Sequence, residues 1–462
     1  MIVCWFCNDA NLQMSELRTI AQHAGTVLVG QLAVMAFGVT DTIVSGQYSA
    51  DALAALSIAS AIFVSVYISL MGVLQALLPI WAELNGQRQP HRIGQSFRQS
   101  LYLAFVATLV GMAALLSPSL LLQWADVPSH LQPDVNHYLS VVALALPAAL
   151  FFRLFSTLNQ SIGHPQLVTG LQIFSLLPKV ILSIWFTFGG AGLPPLGAAG
   201  CAWATLLVQY ATVFVAIALL RKKTLYAPLQ LWRRMEAPHW RNLAEFARLG
   251  IPAGLSIAVE VTSFTLMALL IARQGSLASA SHQIAANLAA VCYMVPLSLS
   301  IATSARVSYW LGAQQAQKAR AIAQQGLRIA ACSGVIVATL VWGLRNGIAS
   351  IYTQDAAVLA LAAGLLIWVA LYHLADSIQC YCIFVLRCLR ITLAPLITYS
   401  VLLWGLGLGG GYMLAYAGLD VWNLSQTPQA FWLSSFAALA ATALIFIVLL
   451  QRNLRNLSRT EL

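Results

Sequence analysis

The run GLSIAVEVTSFTLMALLIA, residues 254–272, is apolar almost throughout, yet it carries a carboxylate, Glu260, near its middle. A stretch of about 20 such residues is long enough to cross the hydrocarbon core of a bilayer. Runs of the same kind recur along the 462-residue chain, which is 60% hydrophobic and only 8% charged, with a mean hydropathy of +0.79. A soluble domain carries about 25% charged residues. In lipid every backbone polar group must be satisfied within its own segment or in a closed barrel. These runs lack the alternation of barrel strands, so they read as helices.

Hydropathy places crossings at 19–44, 53–82, 98–123, 137–161, 166–190, 196–220, 244–272, 281–305, 325–350, 357–386, 391–416 and 430–451. The expected fold is an all-α polytopic membrane protein with about twelve transmembrane helices in two pseudo-symmetric six-helix bundles. The expected layout is a lead-in over 1–18, a bundle over 19–220, a linker over 221–243, a bundle over 244–451 and a tail over 452–462. The lead-in has no basic region or cleavage site of a signal peptide, and Met14 is a candidate start of translation.

The net charge of +10 belongs to topology rather than to nucleic acid. Basic residues gather after the even-numbered crossings: Arg88, Arg92 and Arg98; Arg221, Lys222, Lys223, Arg233, Arg234, Arg241 and Arg248; Arg306, Lys318, Arg320 and Arg328; Arg387 and Arg390; Arg452, Arg455 and Arg459. The opposite loops hold only Arg273 and Arg345. Basic loops stay cytoplasmic, so both termini are expected inside. Of the eight cysteines, Cys4-x-x-Cys7 has metal or redox spacing but lacks a second ligand pair.

An internal repeat supports the two-bundle plan. ALSIA (55–59) corresponds to SHQIA (281–285), and each sits a similar distance before a turn, LNGQ (84–87) and LGAQ (311–314). Ile58 and Ile284, like Gly86 and Gly312, stand 226 residues apart. Parallel repeats of this kind are a transporter architecture.

Few ionisable residues remain at membrane depth: Asp41, Glu260 and Asp376 among the acids, Lys179 and Arg153 among the bases. A charge at the bilayer centre costs about 2.5–3.5 kcal/mol on insertion scales, so such residues are candidates for function. Asp41 sits toward the outer end of the first crossing, where it serves either an interface or a site. Glu260 shares a helical stripe with Ser256, Ser263, Phe264 and Met267. Asp376 shares one with Tyr372, His373 and Gln379. Ser256 and Gln379 read as interhelical hydrogen-bonding groups, and His373 is either a satisfied interior histidine or a relay. Two buried carboxyls in one lobe suit a shared proton or a hard cation held by oxygens.

VTDTIVSG (39–46), ADALAALSIASAIFVSVYISLMGVLQALLPIWAELNGQ (50–87), GAAGCAWAT (197–205), GIPAGLSIAVEVTSF (250–264), ASASHQIAANLAAVCYMVPLSLSIATSARVSYWLG (278–312) and LYHLADSIQ (371–379) resemble the multidrug and toxic compound extrusion (MATE) family, in its NorM-type bacterial branch. The resemblance covers nearly the whole chain from about residue 20. It implies two bundles forming a V-shaped cavity and alternating access. It also implies export of lipophilic organic cations in exchange for Na⁺ or H⁺. Glu260 and Asp376 match the acidic pair of the family's cation site, and Tyr293 matches an aromatic there that faces a cation through its ring. Asp41 matches the acid of the N-terminal bundle, implicated in coupling or drug release. Phe264, Met267, Ser263, Tyr372 and Gln379 are candidates for the substrate cavity. Relatives often carry asparagines on the fifth helix, where LVTGLQIFSLLPKVILSIWF (167–186) has Lys179 and Ser183. Lys179 either faces Asp41 as a built-in cation or snorkels to an interface.

The expected protein is thus a cation-coupled antiporter of the bacterial inner (cytoplasmic) membrane. It is expected to be monomeric, without nucleic-acid partners or a cofactor beyond its coupling ion. A flippase for a lipid-linked saccharide shares the plan but needs a basic cavity for diphosphate, for which only Lys179 and Arg153 are candidates. Neither HExxH, GxGD nor a phosphate-binding P-loop occurs, so neither an enzyme nor an ATP-driven pump is expected.

Overall fold

The computed structural model describes residues 2–118, 128–190, 192–417 and 424–457, with side chains from Ser15 onward. The side chains of Cys4 and Cys7, and the residues after 457, lie outside that description. Twelve helices among the described residues are long and apolar enough to cross a membrane. They are α1 (Ser15–Tyr48), α2 (Ala50–Gly86), α3 (Pro90–Leu116), α4 (Gln132–Ser161), α5 (Pro165–Phe188), α6 (Ala198–Lys222), α7 (Trp240–Ala272), α8 (Ser276–Gly312), α9 (Ala316–Tyr352), α10 (Ala356–Cys388), α11 (Leu393–Tyr416) and α12 (Pro428–Leu457). Their number and order match the hydropathy reading. The third crossing starts earlier than hydropathy suggested, because the polar segment HRIGQSFRQS (91–100) is already helical.

The chain divides into two compact units. One is Val29–Gly254, here the N-terminal unit; the other joins Met1–Leu28 to Leu255–Leu462, here the C-terminal unit. Helix α7 therefore starts in one unit and finishes in the other. Within the N-terminal unit α4 is the central helix, buried along most of its length by α2, α3 and α6. Leu139, Val142, Leu146, Leu150, Leu154 and Leu158 are all buried there. Within the C-terminal unit α10 takes the same place against α8, α9 and α12.

The sequence repeat is also a backbone repeat. After α2 the chain turns through Arg88 at φ 56, and after α8 through Gln314 at φ 56. Left-handed conformations are uncommon outside glycine, and these two stand 226 residues apart. The bonds around them correspond: Arg88 N donates to Asn85 O and Gln89 N to Leu84 O, as Gln314 N does to Leu311 O and Gln315 N to Trp310 O. The following helices open at Pro90 and Ala316, again 226 apart.

The linker after α6 is anchored rather than loose. Arg98 of α3, expected in a solvated cytoplasmic segment, is buried. Its guanidinium donates to Gln230 O at 2.6 Å and to Glu236 Oε1 at 2.6 Å. Gln99 and Tyr102 hold the main chain at Ala237 and Glu236. Tyr226, in a short 3₁₀ turn, donates its hydroxyl to Asn159 Oδ1 at 2.7 Å.

Candidate functional site

Glu260 of α7, Asp376 of α10 and Gln379 of α10 meet inside the C-terminal unit. Asp376 and Gln379 are one helical turn apart, so their side chains share a face. Gln379 Nε2 donates to Asp376 Oδ1 at 2.7 Å and lies 3.5 Å from Glu260 Oε1. Its own Oε1 accepts from the Tyr399 hydroxyl of α11. One amide thus links both carboxyls, and a tyrosine fixes which way that amide points. Neither carboxyl forms an ion pair among the described residues. Tyr293 of α8 lies within electrostatic reach of both, and Cys380 faces its hydroxyl at 3.8 Å.

Beside Glu260 lies a small cavity of about 20 Å³, lined among others by Ser263, Phe264, Met267, Tyr372 and Gly407. That is room for one water and far below the roughly 300–1,000 Å³ of a drug-sized pocket. Ser263, Phe264, Met267 and Tyr372, singled out by helical spacing along α7 and α10, are therefore brought together around Glu260. Phe264 and Tyr372 also meet edge to face, and both pack on Trp432.

The middle of α11, Ser400–Gly409, is wound as a π-helix. Its sequence SVLLWGLGLG repeats glycine at 405, 407 and 409. Wide winding disturbs the regular ladder, and side chains from neighbouring helices reach its carbonyls. Ser434 Oγ donates to Leu406 O and Gly407 O, each at 2.6 Å, and Ser263 Oγ to Leu403 O, while the segment's own Trp404 donates its indole N–H outward to Val259 O of α7. Such π segments recur at functional sites, and this one forms a wall of the cavity beside Glu260.

In the N-terminal unit Asp41 is buried and pairs with Lys179 at 2.6 Å. Lys179 is 0% exposed, so it does not snorkel. Arg153 is also buried, with its guanidinium packed on the Met71 sulfur. His373 is buried, its Nε2 3.3 Å from Ser377 Oγ, as a satisfied interior histidine would be.

Sequence reasoning missed several groups. Arg387 reads as a cytoplasmic base, but it is buried within α10 over the Phe384 ring, in electrostatic reach of Glu260. The helix runs on to Cys388, and a long aliphatic stem lets the guanidinium lie inside. Tyr399 carried no local signal, since its partner is twenty residues upstream on another helix. His282 is buried against Phe264 and Trp432, with neither ring nitrogen partnered among the described residues. Its only sequence signal was its place in the repeat motif SHQIA.

Comparison with known proteins adds a consistent finding. The MatE family model matches residues 27–185 and 252–413. The chain is 34% identical to a probable multidrug resistance protein NorM of Aromatoleum aromaticum, over 94% of each chain. It is 31% identical to a similarly named protein of Chromobacterium violaceum, over 96% of this chain and 95% of the relative. Among solved structures it resembles the eukaryotic MATE transporter AtDTX14, with a TM-score of 0.85 at 18% identity, over 97% and 99% of the two chains. It also resembles a MATE in the bent conformation, with a TM-score of 0.86 at 14% identity, over 96% and 97%.

Proposed function

The chain belongs to the MATE family, and from that premise we propose that it is a secondary active multidrug exporter that couples through Glu260 and Asp376. The observation that carries this reading is the carboxyl pair itself. Two acids share one neutral amide, with no base paired to either among the described residues. Arg387 lies in electrostatic reach of Glu260 without pairing to it, so with two acids in one site a further positive charge is still called for, either Na⁺ or H⁺. The ring of Tyr293 and the hydroxyls of Ser263 and Tyr372 are at hand to complete an oxygen and aromatic shell.

The inward-open state takes up a lipophilic organic cation from the cytoplasm or the inner leaflet. After the switch, external Na⁺ or H⁺ enters the Glu260/Asp376 site and the drug leaves. Carrying one charge outward against the potential costs about 2.3 kcal/mol per 100 mV. Exchanging one monocation for another cancels that cost and leaves the ion gradient as the drive. The cycle requires no resident cofactor and no nucleic-acid partner. The clustering of basic residues in alternate loops supports an inner-membrane orientation with both termini cytoplasmic. Nothing in the cycle calls for more than one protomer. The ammonium of Lys179 is spent on Asp41 and unavailable to a diphosphate, which weighs against a lipid-linked sugar as substrate.

The test is efflux of a fluorescent organic cation from energised, drug-sensitive cells after a Na⁺ pulse or an acid pulse. Wild type is expected to respond to one pulse, and Glu260→Gln and Asp376→Asn to neither. Full pulse-driven efflux in both variants would refute the carboxyl pair as the coupling site.

A further inference from the structure

The two units treat their buried acids differently. In the C-terminal unit an uncharged amide links two carboxyls. In the N-terminal unit an ammonium pairs with a single one. Lys179 follows Pro178 in α5, and its Nζ lies 2.6 Å from Asp41 Oδ1 of α1, 2.8 Å from Thr205 Oγ1 of α6 and 3.0 Å from Cys201 O of α6. An ammonium has three protons to donate, and here three acceptors surround it. Asp41 Oδ1 also accepts from Ser183 Oγ at 3.1 Å. The other titratable groups facing the pair are Tyr138 of α4 and the Cys201 thiol.

A carboxylate oxygen, a hydroxyl oxygen and a main-chain carbonyl around a buried monocation make the donor set that a hard cation takes. In this chain the monocation is covalently attached. We propose that Lys179 is a tethered resident cation that fills an ion site in the N-terminal unit, so that Asp41 exchanges neither Na⁺ nor H⁺ during the cycle. The ion exchange of the protein then falls to the C-terminal unit, a clause that rests on the reading of Glu260 and Asp376 given above. The oxygens around Nζ form a latent site for a small monovalent cation. Removing the ammonium while keeping Asp41, Ser183 and Thr205 uncovers it, because a buried carboxylate stripped of its partner must recruit another positive charge.

The experiment uses the full-length purified protein and reads its melting temperature in detergent against Na⁺ or methylammonium, with choline holding the ionic strength constant. A ligand that binds only the folded state raises that temperature progressively with its concentration. The background is Glu260→Gln with Asp376→Asn, which removes the carboxyl pair. With Lys179 present, the titrations are expected to be flat. With Lys179→Ala added, the melting temperature is expected to climb with Na⁺ or methylammonium, and Asp41→Asn is expected to abolish the climb. The neutral pair Asp41→Asn with Lys179→Met serves as the folding control. A response in the background that Asp41→Asn removes would overturn the proposal. So would a flat titration after Lys179→Ala, or failure of that variant to fold with either cation while the neutral pair folds. The coupling reading fails separately: a wild-type cation response that survives Glu260→Gln with Asp376→Asn and is indifferent to Asp41→Asn refutes the carboxyl pair and leaves the Lys179 comparison intact.

Discussion

Gln379 holds the C-terminal site together with one side chain. Its amide donates toward two carboxyls and accepts from Tyr399. Replacing it by leucine keeps the volume but leaves the Tyr399 hydroxyl and one face of Asp376 without a partner. A lost buried hydrogen bond to a charged group is worth about 1.5–3 kcal/mol. Gln379→Leu removes the donor that stabilises the cation-free carboxylates, so it should lower the half-saturating concentration of the coupling ion by about tenfold or more, read from efflux against ion concentration. Tyr399→Phe should have a smaller effect in the same direction, because Gln379 keeps its carboxyl contacts. The acids themselves were legible in the sequence, since a charge in an apolar run is conspicuous. Tyr399 and Trp432 were not, since an aromatic residue in a membrane helix looks the same whether it faces lipid or a site. The partner of Lys179 was open for a related reason. A long basic side chain reaches either an interface or a buried acid, and only the packing of α1, α5 and α6 chooses.

The entry to α7 is a close helix crossing. Gly250-Ile251-Pro252-Ala253-Gly254 spaces two glycines four apart, so both lie on one face, a pattern that lets membrane helices approach closely. A Cβ at Gly250 would lie 2.7 Å from Val73 O of α2, and one at Gly254 would lie 2.6 Å from Ser69 O. Main-chain atoms cannot swing aside as side chains do. Gly254→Ala and Gly250→Ala should each lower the melting temperature and the yield of folded protein, measured by fluorescence-detected size exclusion after heating. Gly343→Ala in α9 has open space and should leave both unchanged or improved. The π segment of α11 offers a second test. Ser434→Ala removes the donor shared by Leu406 O and Gly407 O, and hydrogen exchange in Ser400–Gly409 should rise relative to Leu393–Tyr399. Sequence marks this segment only as glycine-rich, because winding depends on how neighbouring helices take up the carbonyls.

For the molecule as a whole, the distribution of basic residues makes a topological prediction. The linker between α6 and α7 and the end of α12 should share the cytoplasmic side. With the native cysteines replaced, Arg234→Cys and Arg452→Cys should be labelled by a membrane-impermeant maleimide only after the cells are opened. Labelling of either in intact cells would contradict the orientation. Twelve crossings, two halves and their offset of 226 were all present in the linear sequence. Each depends on local chemistry: a run of apolar residues has one solution in lipid, the helix, and a duplicated turn keeps its backbone. Which buried charges touch was settled only by tertiary packing. Helices α1, α5 and α6 bring Asp41 to Lys179, while α7, α10 and α11 bring Glu260 and Asp376 to one amide. Hydropathy reports how much a segment prefers lipid to water, and that preference does not depend on the rotation of a helix about its own axis. The rotation decides which face meets which, and so whether a buried acid is given a lysine or left to find its cation elsewhere.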